Sequence, residues 1–478
     1  MIELTTEEIA AACAGRVVAG PPDGSEQHPA RATVDSRAAA PGDLFFGIAG
    51  ERADGGRFAE RAIESGAWGV VVTPEHAGGV AGSGTVVLEA ADPGAALAGL
   101  ARRWAQELAA RGARTVGITG SVGKTSTKDI LAALLRPLYG EHLHASAANF
   151  NTEIGLPLTL LEASGDTRVL VLEMAMRGMG QIRELAQIAR PQVGVITNIG
   201  PVHLELVGTI ERVAEAKAEL IAELPNGGAC VVPAAEEALR PHLRSDVRVL
   251  TFAAQPSVAG AAADIRALSA EMREGSMRVE VTAGAERATI DFGFTQMHNL
   301  ANALAAIGAG HALGHSLEEM AEGASKISFS SLRGEQLELD GALIINDCYN
   351  ANPISMRAAL EHLASVADAR DARRRVAVLG DMKELGEAEK AFHREAGEQA
   401  AAAGVDVLIA VGDLAEAYAE GYGPQGETHV VRDSGAAATE FRDLVEAGDV
   451  VLIKGSRSVG LERVAQALDP AAGELPDG

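Results

Sequence analysis

Short apolar runs of β type alternate with amphipathic stretches along most of the chain. In the middle, "TVGIT", "RVLVLEM", "VGVITNI", "GACVVP" and "VRVLTF" each read as a buried strand, with helical stretches between several of them. That rhythm predicts a mostly parallel sheet covered by helices. "MRVEVT" and "ATIDFGF" look like an added antiparallel hairpin. A helix from about Met297 to Gly314 follows. The rhythm restarts with "ALIIND", "RRVAVLGD", "VDVLIAVGD" and "VVLIKGS". Before the first glycine loop, "GRFAERAIESGA" reads as a helix and "WGVVVT" as a strand, and Thr5 with Glu8 fits a capping box. Three α/β regions are therefore expected: residues 1–95, 96–326 and 327–478. No repeat or low-complexity tract interrupts them, and "DPAAGELPDG" reads as a frayed tail.

Composition narrows the class. The 478 residues are 47% hydrophobic, enough for several cores. No apolar run reaches the roughly 18 residues of a membrane helix, and "MIELTTEEIAAACAG" lacks the basic and apolar regions of a signal peptide. A net charge of −25 argues against a general nucleic-acid binder. Cys13, Cys230 and Cys348 show no metal spacing and no even disulfide framework. The expected setting is reducing and cytoplasmic, with no membrane insertion. Only seven of the 41 basic residues are lysine, and Lys124, Lys217 and Lys454 fall in motifs.

The stretch "ITGSVGKTSTKDILAALL" carries the clearest chemistry. Gly120 and Gly123 allow a tight turn with amide hydrogens aimed at phosphate, and the following helix adds its positive end. Lys124 can reach the outer phosphates, and the Thr125 hydroxyl can hold Mg2+. Ile118 stands where the strict P-loop has its first glycine, so the pattern is the shorter TGxxGKT. Glu173 ends a strand-like run, where a carboxylate is well placed for Mg2+ near phosphates, although it also reads as an ordinary strand-end acid. His203 follows another strand end and reads as a ligand or as a structural histidine. Lys217 has Val213, Ala214, Leu220 and Ile221 as its three- and four-residue neighbours, an apolar face on which an unpaired ammonium is costly. The plainer alternative is a lysine snorkelling at the edge of a core. In the third region Asp347 and Lys454 each follow a strand-like run and project toward one crevice rim if the sheet is parallel. Asn350 and Asn352 flank the turn before Pro353, which opens a helix. Cys348 reads as a small buried thiol rather than a nucleophile.

"TGSVGKTS", "NFNTEIGLPLTLL", "LEMAMRGMGQI", "NIGPVHLELVGTIERVAEAKAEL" and "HNLANALAA" resemble the Mur ligases, ATP-dependent amide-bond-forming enzymes of peptidoglycan synthesis. The likeness covers essentially the whole chain. "DCYNANPISMRAAL", "LGDMKELGE" and "KGSRSVGLE" resemble the members that add D-alanyl-D-alanine to UDP-N-acetylmuramoyl-tripeptide. The DNPR-type signature of the diaminopimelate-adding members is absent.

The resemblance implies three domains: a small N-terminal domain for the uridine nucleotide, a central P-loop-type ATPase domain, and a C-terminal Rossmann-like domain. The last would close on ATP and bind the incoming dipeptide. It implies phosphoryl transfer to the peptide carboxylate, an acyl phosphate, and attack by the dipeptide amine. Gly120, Ser121, Val122, Gly123, Lys124, Thr125 and Ser126 are implied to hold the ATP phosphates. Thr125 and Glu173 would hold one Mg2+, and His203 a second. Lys217 corresponds to a lysine carbamylated by CO2 and associated with the metal. Asn299 and Asn302 resemble adenine-side residues, and Arg333, Asp347 and Lys454 the third-domain ATP residues. Because "SLRGEQ" departs from the usual glycine-arginine pair, Arg333 is the loosest match. Ser36 and Arg37 match the uridine-side motif, Asn151 and Thr152 the muramoyl-side one, with Asn350 and Asn352 also on the substrate side. A monomer is expected.

Overall fold

A computed structural model describes residues 2–20, 28–50, 53–147, 150–254 and 263–467. The predicted tail from Asp469 lies outside them. The chain divides into two units. The first comprises residues 1–197, 215–294 and 301–327, and the second residues 198–214, 295–300 and 328–478.

The first unit holds two sheets. The smaller has the strand order Arg16–Ala19, Val86–Glu89, Gly69–Val72, Leu44–Phe46, Ala32–Thr33, with only its first pair antiparallel. Phe45, Val70, Val72 and Val87 pack there against Ala59, Ala62 and Ala77. The capping box at Thr5 is present, with Glu8 on the cap amide. The helix Pro93–Ala110 begins at an Asp92 cap and buries Leu97, Leu100, Trp104 and Leu108. Its Trp104 indole donates to the Ala163 carbonyl at 3.1 Å, tying it to the second sheet's helices.

That second sheet has nine strands, in the order Glu286–Phe292, Ser276–Ala283, Ile265–Arg273, Arg248–Ala253, Ala229–Pro233, Val193–Ile196, Arg114–Thr119, Val169–Glu173, Leu143–Ala145. Every pair from Leu143–Ala145 through Ile265–Arg273 is parallel, and the last two pairs are antiparallel. The expected hairpin is therefore part of a three-stranded meander. Its extra strand, "IRALSAEMR", is exposed over most of its length, so it carries little apolar alternation to read.

The second unit has a six-stranded sheet ordered Glu335–Leu339, Ala342–Asn346, Asp449–Lys454, Arg374–Gly380, Val407–Val411, Glu427–Val431. All pairs are parallel except the first. Its four inner strands are almost wholly buried, with apolar clusters on both faces. That is why they read as continuous apolar runs. The three cysteines are free and buried, and burial raises their thiols to pKa values of about 12 for Cys13, 11 for Cys230 and 12 for Cys348. Among the described residues no helix is long and apolar enough to cross a membrane.

Candidate active site

The strand Arg114–Thr119 runs into the glycine loop, and the helix Lys124–Tyr139 leaves it. Gly123 caps that helix at φ +82°, and a Cβ there would lie 2.2 Å from Asn302 Oδ1. Gly120 has φ +149°, and a Cβ would lie 1.9 Å from Thr197 Oγ1. Both positions exclude a side chain, so the loop backbone lies bare where phosphate is expected. Thr197 holds it from beneath, its hydroxyl donating to the Val122 carbonyl at 2.5 Å. The Lys124 ammonium donates to the Gly120 carbonyl at 2.8 Å and approaches that of Ser121 at 3.4 Å. Buried Asn302 lies under this loop, and Thr127 Oγ1 donates to its Oδ1 at 3.4 Å.

Thr125, Glu173 and Asn151 come together beside the loop. The Thr125 hydroxyl donates to Glu173 Oε2 at 2.7 Å, and the Asn151 amide to Oε1 at 2.7 Å. Ser146 Oγ accepts from the Glu173 N–H at 3.1 Å, fixing the strand end. Thr152 Oγ1 accepts from the Gly155 N–H at 3.4 Å, at the start of the next helix. A hydroxyl oxygen and a carboxylate are hard donors and fit Mg2+. Among the described residues no group of three or more His, Cys, Asp and Glu forms a preformed metal cage. Mg2+ sites that draw on one or two carboxylates plus substrate phosphates need none.

Lys217 lies on the helix Ile210–Ala222, with a relative exposure of only 2%. Val213, Ala214, Leu220 and Ile221 are likewise buried, so the side chain does not snorkel into water. Burial, and then the nearby Lys124 charge, hold its pKa well below the ordinary lysine value. The amine is therefore driven toward its neutral, nucleophilic form. Glu219, on the same helix, is also buried and accepts from the N–H groups of Gly180 and Arg183 at 2.7 and 3.0 Å.

In the second unit Lys454 is equally buried but paired, 2.6 Å from Asp347 Oδ2 and 3.0 Å from the Asn350 carbonyl. The Asn352 side chain caps the helix Pro353–Arg370 through the Ser355 N–H, and Asn350 Oδ1 accepts from the Ala351 N–H. The Arg333 guanidinium stacks over the Tyr349 ring at 4.0 Å. Asn299 is buried in the same unit, next to His298, whose pKa burial lowers. His203 has φ +54°, and its Nδ1 meets Glu384 Oε2. In the first unit, near the small sheet, Ser36 is buried and Arg37 forms a bidentate pair with Asp35.

Three family descriptions match the chain: "Mur ligase family, catalytic domain" over residues 31–114, "Mur ligase middle domain" over 118–310, and "Mur ligase, glutamate ligase domain" over 332–457. A curated relative from Mycobacterium tuberculosis, named UDP-N-acetylmuramoyl-tripeptide–D-alanyl-D-alanine ligase, is 37% identical over 98% of each chain. One of the same name from Bacillus subtilis is 34% identical over 91% of this chain and 92% of its own. The chain belongs to the Mur ligase family. The Mur ligase fold extends to solved structures. A crystal structure of MurF from Acinetobacter baumannii superposes with a TM-score of 0.83 at 27% identity, covering 97% of this chain and 98% of that one. The MurF ligase of Thermotoga maritima in complex with ADP gives 0.77 at 30% identity, over 92% and 96%.

Sequence reasoning passed over several residues of this Mur ligase site. Lys128, buried one turn after Lys124, donates to the Ser146 carbonyl at 2.8 Å and so braces the residue that fixes Glu173. Thr197 and Glu384 were also missed. Lys128 had a local signal, because it repeats Lys124 at helical spacing. Thr197 and Glu384 meet partners far away in the chain.

Proposed function

We propose that the chain joins D-alanyl-D-alanine to UDP-N-acetylmuramoyl-tripeptide at the expense of ATP, as a cytoplasmic step of peptidoglycan precursor synthesis. The observation that carries this reading is the end-to-end likeness to ligases of that name, over 98% of both chains. A bare glycine loop beside the Thr125–Glu173 pair supplies the chemistry the reading needs.

A carboxylate is a poor electrophile, and its phosphoric anhydride is a good one. A tripeptide carboxylate oxygen attacks the γ-phosphorus, and ADP leaves with the bridging oxygen's electron pair. The dipeptide amine then attacks the acyl carbon, loses a proton, and phosphate departs from the tetrahedral intermediate. Most of the catalytic work is holding anions in line and screening their charge. The loop amides bind phosphate oxygens, and Lys124 exchanges its loop carbonyls for the γ-phosphate. Thr125 and Glu173 hold Mg2+, with His203 serving a second ion; the metal supplies charge screening on the phosphates. Asn299, Asn302, Arg333, Asp347 and Lys454 serve ATP. Ser36, Arg37, Asn151 and Thr152 serve the nucleotide substrate, and Asn350 its peptide side.

Lys217 is carbamylated in this reading. Its neutral nitrogen attacks CO2, a C–N bond forms, a carbonyl electron pair moves to oxygen, and the displaced N–H proton goes to solvent. The product is an anion where a cation is disfavoured, attracted by Lys124 rather than repelled by it. Its oxygens suit a hard cation, directly or through water.

Mass spectrometry of the product from enzyme, ATP, UDP-N-acetylmuramoyl-tripeptide and D-alanyl-D-alanine tests the reading. The expected result is the pentapeptide nucleotide, with ADP released only when both substrates are present. ADP release without the dipeptide at the full rate would make this an ATPase instead.

A further inference from the structure

"LGDMKELG" has no role in the reading above, yet its backbone is held residue by residue. The Gly380 carbonyl accepts from the Tyr418 hydroxyl at 2.9 Å. The Asp381 carbonyl accepts from the Ser456 N–H at 3.0 Å. The Met382 N–H donates to His393 Nε2 at 2.9 Å, and the Lys383 N–H to Ser456 Oγ at 3.0 Å. His393 is fully buried, with Nδ1 2.6 Å from the Glu389 carbonyl, so its neutral Nδ1–H tautomer is fixed. Its ring meets Tyr418 edge to face at 4.8 Å. The Asp381 carboxylate accepts from the N–H groups of Asp413 and Leu414, at 3.1 and 3.0 Å, and from the Lys383 ammonium at 2.8 Å. Four consecutive residues at the end of a central strand are thus immobilised.

The next residue is Glu384, at φ +64°, a left-handed conformation disfavoured for any residue with a Cβ. Its carboxylate meets His203 Nδ1, and His203 is itself left-handed at φ +54°. Both residues belong to the second unit. Two disfavoured backbone conformations thus face each other through a carboxylate–imidazole contact.

We propose that Glu384 is a positioning residue that fixes the ring plane and tautomer of His203. The imidazole donates its Nδ1–H to the carboxylate, so a cation reaching His203 takes Nε2. A carboxylate behind a ligating histidine orients the ring and raises its basicity. This inference rests on the proposed role of His203 as a ligand. The anchors along "LGDMKELG" thereby serve the site, because they hold Glu384 in place.

The test has two readouts. Nitrogen-15 histidine spectra of the metal-free enzyme at pH 8.5, with His203→Gln used for assignment, should place the His203 proton on Nδ1. Glu384→Ala should release it to a mixture of tautomers, and Glu384→Gln should lie between. A His203 proton on Nε2 in the parent overturns the proposal. Mn2+ titration by electron paramagnetic resonance, with a non-hydrolysable ATP analogue and the tripeptide nucleotide bound, should show about 10- to 100-fold weaker binding of one ion in Glu384→Ala. Unchanged Mn2+ affinity overturns the proposal even if turnover falls, because Glu384 would then be merely structural. Full turnover of His203→Ala would instead sink the ligand role on which the inference stands.

Discussion

Two lysines occupy equivalent burial in the two units and meet opposite electrostatic fates. Lys454, in the second unit, ends a central strand, and Asp347 and a backbone carbonyl compensate its charge. Lys217, in the first, has an apolar helix face around it and the Lys124 cation nearby, and no ion pair to it forms among the described residues. A buried charge needs a partner or must change its chemical state. Lys454 has the partner, the Asp347 carboxylate at 2.6 Å. Lys217 has none, and burial followed by the Lys124 charge disfavours its ammonium form, the condition that the proposed carbamate would relieve. Equal burial therefore says little about a lysine's role until the neighbouring charges are counted.

Substituting Lys217 tests this contrast most strongly. Lys217→Ala and Lys217→Arg should each lower kcat by about 1000-fold or more while uridine-nucleotide binding, followed by calorimetry, stays near the parent value. Arginine keeps the charge and cannot be carbamylated in the same way. A small added carboxylate should restore part of the alanine variant's activity. An arginine variant as active as the parent would place both lysines in one category and erase the distinction. Lys124→Ala comes next, with a fall in kcat of roughly 100-fold. It removes phosphate screening and the second cause, after burial, of the lowered Lys217 pKa, so less of Lys217 should be carbamylated by carbon-13 NMR.

Asp347→Asn turns the second unit into an electrostatic copy of the first, by stranding Lys454. Urea unfolding should show a loss of about 2 kcal/mol, reduced from a fully buried pair because Asp347 is partly exposed. Adding Lys454→Met should recover most of it. The smallest effect is expected for Lys217→Met in CO2-free buffer, a gain of a few degrees in Tm. The unfolded lysine takes up its proton as pH falls through its ordinary value of 10.5, while the folded one resists until a lower pH. The parent thus loses stability across that interval as pH falls. The methionine variant lacks this slope, so its advantage should be larger at pH 7 than at pH 10.

Legibility in the sequence followed the range of each interaction. The phosphate loop was readable because strand, glycines, lysine, hydroxyl and helix are contiguous. Central strands were readable because burial on both faces leaves an unbroken apolar run, whereas the exposed "IRALSAEMR" was not. The unusual face around Lys217 followed from helical spacing, and burial removed the snorkelling alternative. Glu219 illustrates the limit. It lies two residues from Lys217 in the chain, yet it holds the start of the helix Gln181–Ala189, 36 to 39 residues away, which no local pattern reveals. Glu384 and His203 are 181 residues apart, and no local pattern links them. Asn352 was readable both as substrate-side residue and as turn chemistry, and its side-chain oxygen is occupied by the helix cap.

The buried thiols have a practical consequence. With all three cysteines inside and their ionisation pushed to about pH 11 or 12, hardly any thiolate exists at neutral pH to meet an electrophile. The native chain is close to a cysteine-free background for maleimide chemistry. A single cysteine introduced on the surface of either unit would label selectively, without first stripping the molecule of its own sulfur.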